Sequence, residues 1–321
     1  MTARSAARPA SSSTLRIVCI VPFLDEQRHL GQLLDSMDGQ HRSPDELLLV
    51  DDGSSDQSPA LAAEFAKHHK GVRLLRRPRR PASRDRLANA PELVAFESAL
   101  AQVSEAWDVV VKLDADLVLS PDLFATLERA FIQQPDLGVA GTFLSVLDPK
   151  TGKLQRERCP PSHVRGATKC YRRACYEQIA PLPAMLGWDT VDEIAARSHG
   201  WRTASIACPA GDTVHLRPTG GETGQLRAQF RWGMCAYGIG QHPAWVSVSA
   251  LRRLLERPRV LASTAFLAGW FTALVQQAPR ASAELRAFGQ REQIDVLRSL
   301  VRGPGAVQRA IRFGTEPMGG S

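Results

Sequence analysis

The chain has few aromatic residues and no recognisable nucleic-acid-binding motif. Aromatic side chains make up 6% of its 321 residues and are not interleaved with the basic clusters. A stacking platform for single-stranded nucleic acid is therefore not expected. The sequence also shows no helix-turn-helix pattern and no zinc-finger spacing of cysteine and histidine. We do not expect nucleic acid among its partners.

Paired cysteines and an apolar run of transmembrane length are also missing. The six cysteines are scattered without a Cys-x-x-Cys pair, which favours a reduced, cytoplasmic compartment. Residues 1–14 lack the apolar core of a signal peptide and predict a disordered tail. The uncharged stretch at residues 260–275 would extend about 24 Å as a helix. That is less than the ~30 Å hydrocarbon core of a bilayer.

The charge that the chain does carry is mostly positive. Its formal net charge is +7, its pI is about 9.4, and arginine supplies nearly all of the positive charge. Such a balance favours an anionic partner, such as a nucleoside diphosphate or an anionic lipid surface. The hydrophobic and charged fractions, 44% and 23%, are those of an ordinary globular protein.

Strand-like and helix-like segments alternate through the first part of the chain. Short apolar runs predict strands at residues 15–23, 47–50, 72–75 and 107–113. Apolar residues at helical spacing follow each of these runs, so we predict an α/β fold with a doubly wound, mainly parallel sheet. Further along, we predict helices at residues 171–179 and 190–198, an irregular loop at residues 213–221, and helices from residue 226 onward.

Two carboxylates follow the last of these strands. Asp114 and Asp116 are separated by one small residue, and side chains at positions i and i+2 of an extended chain point the same way. Ligand sites of α/β sheets lie beyond the carboxyl ends of the strands. Two converging carboxylates there suit a hard divalent cation that holds a diphosphate. The alternative is an ordinary solvated strand end.

Further motifs occur in a fixed order around this strand end. Residues 21–26 read Val-Pro-Phe-Leu-Asp-Glu, residues 51–56 read Asp-Asp-Gly-Ser-Ser-Asp, and residues 187–193 read Gly-Trp-Asp-Thr-Val-Asp-Glu. Residues 200–203 and 214–217, Gly-Trp-Arg-Thr and Val-His-Leu-Arg, follow. Taken together, residues 15–220 resemble the family 2 glycosyltransferases, inverting nucleotide-sugar enzymes of GT-A fold.

The resemblance implies a role for several residues. Pro22, Glu26 and the Asp-Asp-Gly-Ser turn would cradle the nucleoside of the donor, with Asp52 accepting a hydrogen bond from the base. Asp25 stands where the family usually carries Asn. Asp114 would serve the ribose and the metal, and Asp116 would bind a Mn²⁺ or Mg²⁺ ion directly.

Two residues after the sheet extend this expected site. His215 would complete the coordination of the metal or hold the diphosphate, and a histidine hydrogen-bonded within its loop is the alternative. Arg217 suits phosphate oxygens and is expected to bind the donor.

An inverting transfer also needs a carboxylate that takes the proton of the acceptor hydroxyl. Counting back from Gly200 without gaps places Asp189 at the family's catalytic Asp. Asp192 is the second candidate, three residues further on. We prefer Asp189, because acidic residues in the first turn of a helix also interact favourably with its dipole.

The resemblance therefore implies transfer of a sugar from a nucleotide-sugar to a hydroxyl acceptor, either a glycan or a lipid-linked one, in cell-surface polysaccharide synthesis. A nucleotidyltransferase of similar half-fold is the first alternative, but residues 23–27 contain no glycine where such enzymes have a glycine-rich loop. A non-catalytic nucleotide-sugar-binding protein is the second.

The expected organisation is a GT-A domain at residues 15–225, followed by a helical extension at residues 226–321. Within the domain, residues 15–120 form the nucleotide-binding half and residues 121–225 the acceptor half. In the extension, leucines and arginines alternate at residues 251–259, before the uncharged stretch. This pattern is typical of a basic helix on an anionic membrane surface, which would place the protein at the inner face of the cell membrane. The alternative is a buried helix pair that packs on the sheet.

Overall fold

The structure is a computed structural model, and it describes residues 14–79, 89–103, 105–148, 151–157, 159–217, 224–255 and 258–302. Nearly all of the expected N-terminal tail, most of an arginine-rich loop after the third strand and the last part of the helical extension lie outside these residues.

The strands of the described residues are β1 (Ile17–Phe23), β2 (Glu46–Asp51), β3 (Val72–Arg76), β4 (Val109–Leu113), β5 (Leu117–Val118), β6 (Leu137–Thr142), β7 (Leu144–Leu147), β8 (Leu154–Arg156), β9 (Thr168–Arg172), β10 (Arg202–Ile206) and β11 (Thr213–His215). The helices are α1 (Leu30–Asp38), α2 (Ser58–His68), α3 (Pro91–Leu100), α4 (Leu123–Gln133), α5 (Arg173–Ile179), α6 (Trp188–Ser198), α7 (Gln225–Ile239), α8 (Pro243–Arg253), α9 (Arg259–Val275) and α10 (Ala283–Arg302).

The central sheet has seven strands in the order β10-β6-β9-β4-β1-β2-β3. All pairs in it are parallel except those that β9 makes with β4 and β6. Every residue of β1 is buried, and alternate residues pack into two different apolar clusters: Ile17 into one, Val18 into the other. Both faces of the sheet are therefore covered, as expected for a parallel sheet, and the predicted fold class is confirmed.

A smaller second sheet has the order β5-β11-β7-β8, and its strands β5 and β7 follow the carboxyl ends of β4 and β6 in the chain. The irregular loop predicted at residues 213–221 is wrong at its start, because Thr213–His215 form β11 between β5 and β7. The helix predicted at residues 171–179 is also wrong at its start. Tyr171 belongs to β9 and pairs with Val110, so the ladder to β4 overrides the local helical pattern.

The C-terminal helices pack closely on one another. A Cβ atom at Gly233 of α7 would lie 1.9 Å from the Phe266 carbonyl oxygen, and one at Gly269 of α9 would lie 1.9 Å from the Phe230 carbonyl oxygen. The two helix backbones therefore touch where these glycines face the partner helix. Across the described ranges, no helix is both long and apolar enough to cross a membrane.

Candidate active site

Asp114 and Asp116 follow the carboxyl end of β4, as the sequence predicts. The Asp114 amide donates to the Ala167 carbonyl, at 3.0 Å, and this bond ties the strand end to the loop before β9. The side chain of Asp114 is 34% exposed, whereas that of Asp116 is 5% exposed. The two acids therefore differ: one faces the open edge of the sheet and the other is enclosed.

His215 reaches Asp116 because of the pairing between the short strands. In the antiparallel ladder of β11 and β5, His215 lies opposite Leu117, and the Leu216 amide donates to the Asp116 carbonyl at 2.9 Å. The His215 Nε2 atom lies 3.2 Å from Asp116 Oδ2. Ligand atoms of Asp114, Asp116 and His215 all lie within 4.8 Å of one another. Two carboxylates and an imidazole thus converge on one point.

Arg217 joins this cluster to the end of β1. Its Nε donates to Asp116 Oδ2 at 2.7 Å, and its Nη2 donates to Glu26 Oε1 at 2.5 Å. Burial alone would raise the pKa of Asp116, but the contacts with His215 and Arg217 outweigh burial and hold this pKa well below its usual range. Burial alone would lower the pKa of His215, and the Asp116 carboxylate raises it above its ordinary value.

The segment after β1 is tied to the turn after β2. Asp25 has φ = 56°, in the left-handed region, which Asn and Asp tolerate better than most residues. Its carboxylate accepts from the Ser55 amide at 2.7 Å, and the Glu26 amide donates to Ser58 Oγ at 2.8 Å. These bonds fix Glu26, whose second oxygen lies 3.0 Å from His29 Nδ1.

The remaining expected donor residues lie near the carboxyl ends of β1 and β2. Pro22 is buried in β1 opposite Val50 of β2. Asp52 is 6% exposed and accepts from Arg77 Nη1 at 2.8 Å. Gly53 has φ = 89°, and a Cβ atom there would lie 2.3 Å from the Arg79 Cα, so only glycine fits this turn. Arg77 and Arg79 thus both contact this turn, although the side chain of Arg79 is 55% exposed.

Asp189 lies in the first turn of α6, after Gly187 with φ = 84°. It is half-buried. A Cβ atom at Gly166 would lie 3.0 Å from Asp189 Oδ2, so this glycine lets the loop approach the carboxylate. The Gly166 carbonyl accepts from Lys112 Nζ at 3.0 Å, and the same ammonium group contacts Asp114 Oδ1. Lys112 therefore connects the two sides of the site.

Asp192 occupies a different environment. It is fully buried, and its oxygens accept from Lys169 Nζ at 2.6 Å and from Tyr171 Oη at 2.5 Å. Burial raises the pKa of Asp192, although the Lys169 ammonium opposes this effect. The structure does not bring Asp192 together with the cluster of Asp114, Asp116 and His215. Lys169 also donates to the Asp189 carbonyl and so holds the start of α6.

Neither Lys112 nor Lys169 is among the site residues predicted from the sequence. The two residues are 2% and 0% exposed and lie opposite each other in the β4–β9 ladder. Their ammonium groups lie 5.7 Å and 5.6 Å from the centre of the Trp188 ring. The signal for Lys112 is in the sequence: a lysine inside the apolar run 109–113 must be paired with an acid, because lysine is almost never buried alone.

The fold and the converging acids define a protein of the GT-A class. The family model for glycosyl transferase family 2 matches residues 18–179, which is half of the chain. The chain therefore belongs to glycosyltransferase family 2 and is a glycosyltransferase. No curated protein matches it significantly in sequence.

Solved structures of other glycosyltransferases are similar. A mannosyltransferase from Pyrobaculum calidifontis, in complex with GDP-mannose and Mn²⁺, is 18% identical with a TM-score of 0.52, covering 94% of this chain and 86% of that chain. Glucosyl-3-phosphoglycerate synthase from Mycobacterium tuberculosis is 19% identical with a TM-score of 0.47, covering 74% and 89%. TarS of S. aureus (residues 1–349) is 16% identical with a TM-score of 0.47, covering 92% and 88%. The likeness to the mannosyltransferase supports the fold.

Proposed function

We propose that this enzyme transfers a sugar, with inversion, from a nucleoside diphosphate sugar to an acceptor hydroxyl, and that it needs Mn²⁺ or Mg²⁺. The observation that carries the proposal is the convergence of Asp114, Asp116 and His215 at the carboxyl edge of a family 2 sheet. The half-buried Asp189 lies across the Gly166 loop from these residues.

The side chains fit a divalent cation. Two carboxylates supply the oxygen ligands that Mg²⁺ and Mn²⁺ prefer, and an imidazole is a common additional ligand. Among the described residues, the buried His215 Nδ1 has no hydrogen-bond partner. His215 Nε2 lies 3.2 Å from the Asp116 carboxylate, which only accepts hydrogen bonds, so Nε2 carries the proton of that contact and would lose it on binding a cation. When bound, the ion would neutralise the diphosphate that leaves. The structure of the similar mannosyltransferase was determined in complex with GDP-mannose and Mn²⁺.

Asp189 is the general base of the proposal. Its carboxylate takes the proton of the acceptor hydroxyl while that oxygen forms a bond to the anomeric carbon, and the bond from this carbon to the diphosphate oxygen breaks. A base must reach the acceptor, and Asp189 is half-buried at the loop, whereas Asp192 is fully buried between Lys169 and Tyr171. The second candidate is therefore disfavoured.

The donor is held at the ends of β1 and β2 in this proposal. Pro22 and Asp52 would border the nucleoside, and Glu26 would position Arg217 for the phosphates. Asp25, Glu26 and Arg217 already line one open cleft, together with His29 and Asp56. Its mixture of acids and an arginine suits the ribose and diphosphate parts of a nucleotide-sugar.

The acceptor is proposed to be a glycan carried on a lipid in cell-surface polysaccharide synthesis, with the enzyme peripheral on the cytoplasmic face of the membrane. Support comes from Leu255, which follows α8, and from Val260, Phe271 and Val275 of α9, which are 84%, 62%, 55% and 80% exposed. Large apolar side chains that are exposed together favour an interaction surface.

The expected basic helix at residues 251–259 is wrong as one continuous helix, because α8 ends at Arg253 and α9 begins at Arg259. Residues 256–257 lie outside the described residues. Arg253 is 8% exposed, donates to Gln229 at 2.7 Å and covers the Phe266 ring, so it belongs to the helix packing. Arg252 and Arg259 are exposed beside the apolar side chains and could contact lipid phosphates. In this segment Arg253 thus takes part in the helix packing, whereas the exposed apolar and basic side chains are the ones that we propose to face the membrane.

The experiment that tests the proposal is a donor screen. The purified protein is heated with each nucleotide-sugar of a panel in Mn²⁺ or in EDTA, and the donor that raises the unfolding temperature most is offered with acceptors. We expect stabilisation by one donor in Mn²⁺ but not in EDTA, and a product whose anomeric configuration, measured by NMR, is opposite to that of the donor. Retention of configuration would contradict the inverting mechanism.

A further inference from the structure

Arg217 lies between two carboxylates from different parts of the site. Its Nε and Nη2 atoms donate to Asp116 and Glu26, which are 4% and 8% exposed. The side chain of Arg217 itself is 30% exposed. The guanidinium is thus a cation shared by two enclosed acids, and part of it faces the open cleft.

Arg217 uses an atom that belongs to the candidate metal ligands. Asp116 Oδ2 accepts from Arg217 Nε at 2.7 Å and also lies 3.2 Å from His215 Nε2. A carboxylate oxygen has two lone pairs, so both lone pairs of this oxygen already face nitrogen atoms. A divalent cation on Asp116 and His215 would compete for these lone pairs and would repel the guanidinium at short range.

Lys112 is another cation of the site, and it is much less exposed to solvent than Arg217. It contacts Asp114 and donates to the Gly166 carbonyl, and it is 2% exposed. An ammonium group enclosed in this way has no solvent-facing direction in which to turn. The Arg217 side chain, in contrast, is 30% exposed, and Glu26 and Asp116 accept from different nitrogens of its guanidinium.

We propose that Arg217 is an exchangeable counter-ion of the metal site. It neutralises Asp116 until the divalent cation arrives, and it then leaves Asp116 and binds the donor diphosphate while Glu26 retains it. This inference rests on the proposed metal-dependent function. Its consequence is that Mn²⁺ alone binds weakly, because it must displace Arg217, and that a nucleoside diphosphate strengthens Mn²⁺ binding by giving the guanidinium a new partner.

The test measures Mn²⁺ binding by isothermal titration calorimetry, without nucleotide and then with UDP or GDP. Arg217→Met should bind Mn²⁺ alone about tenfold more tightly than the wild type, within the 5–150-fold range usual for coupled sites. The same variant should bind UDP and GDP more weakly in Mn²⁺. Arg156→Gln is the matched control. It changes the net charge by the same amount as Arg217→Met, but Arg156 pairs with Asp212, which is outside the ligand cluster. It should leave both affinities within about twofold of the wild type.

Further variants separate this inference from the function on which it rests. Asp116→Asn should abolish Mn²⁺ binding, and its failure to do so would contradict the proposed metal site. If Asp116→Asn abolishes binding but Arg217→Met does not tighten it, the site stands and the counter-ion inference is wrong. Should Arg217→Met not fold, Arg217→Gln provides the test. A glutamine carries no positive charge, so this variant should also bind Mn²⁺ more tightly than the wild type, and unchanged affinity would overturn the inference.

Discussion

Replacing Asp189 and Asp192 separately by asparagine should separate catalysis from stability. Asp189→Asn removes a half-buried carboxylate at the start of α6, so we expect an unchanged fold. If Asp189 is the general base, kcat should fall by about 10²–10⁴-fold, which corresponds to roughly 3–5 kcal/mol of transition-state stabilisation. The apparent donor affinity should change little, because this carboxylate acts on the acceptor.

Asp192→Asn should show the opposite result. Lys169 is fully buried, 2.6 Å from Asp192 and 3.3 Å from Glu193. Removing one partner of such a buried pair leaves an incompletely compensated charge, which typically costs about 3–5 kcal/mol. We therefore expect a large loss in the free energy of unfolding but nearly normal kcat per folded molecule.

The assays are urea unfolding, followed by circular dichroism, and release of nucleoside diphosphate under saturating donor. Glu177→Gln, which removes an exposed carboxylate paired with Arg173, is the control and should change neither quantity. A normal kcat for Asp189→Asn together with an inactive, stable Asp192→Asn would refute the assignment and make Asp192 the base.

Three further predictions follow from the packing and the charges. Gly269→Ala places a Cβ atom 1.9 Å from the Phe230 carbonyl, so it should lower the free energy of unfolding by about 1–3 kcal/mol or more, measured in urea. Burial alone would lower the pKa of His163, but Glu193 raises it above 6.5. The ion pair therefore stabilises the fold fully below pH 6.5 and less as the pH rises through the folded-state pKa. The stability lost in His163→Gln should accordingly be larger at about pH 6 than at about pH 9. The wild type should sediment with anionic liposomes at low salt, and Leu255→Glu should sediment less.

Each of these has a matched comparison. Gly31→Ala is the control for the packing prediction. Gly31 lies in α1, and a Cβ atom there would meet nothing within 4 Å, so this variant should not be destabilised. Gly152 also has open space, but its positive φ makes it unsuitable as a control. His68→Gln, at an exposed ion pair, should show little pH-dependent loss. A wild type that stays in the supernatant with both anionic and neutral liposomes would contradict the membrane surface.

The parallel part of the fold and the acids at its edge could be predicted because their signals are local. The apolar run before Asp114 predicts a buried strand, and an i, i+2 spacing of acids predicts which side of the chain they share. The resemblance to the family, together with counting within one segment, predicts Asp189 as the base, and the structure has this residue in the first turn of α6. None of these steps needs knowledge of a distant partner.

The remaining features depend on contacts between distant segments. Arg217 and Glu26 are separated by 191 positions, so no local pattern indicates that they share a hydrogen bond. Tyr171 lies in a strand because β4 and β6 flank it. The sequence around Arg253 reads as a basic surface helix, yet Gln229 and Phe266 enclose that side chain. For Tyr171 and Arg253, tertiary packing overrides the local pattern.

The most direct test of the central claim is donor turnover in the presence and absence of a divalent cation. The wild type and Asp116→Asn are compared for release of nucleoside diphosphate from the stabilising donor, in Mn²⁺ and in EDTA. The proposal predicts turnover by the wild type in Mn²⁺, none in EDTA with recovery when Mn²⁺ is restored, and none for a folded Asp116→Asn under either condition. Full activity of the wild type in EDTA, or of Asp116→Asn in Mn²⁺, would contradict it.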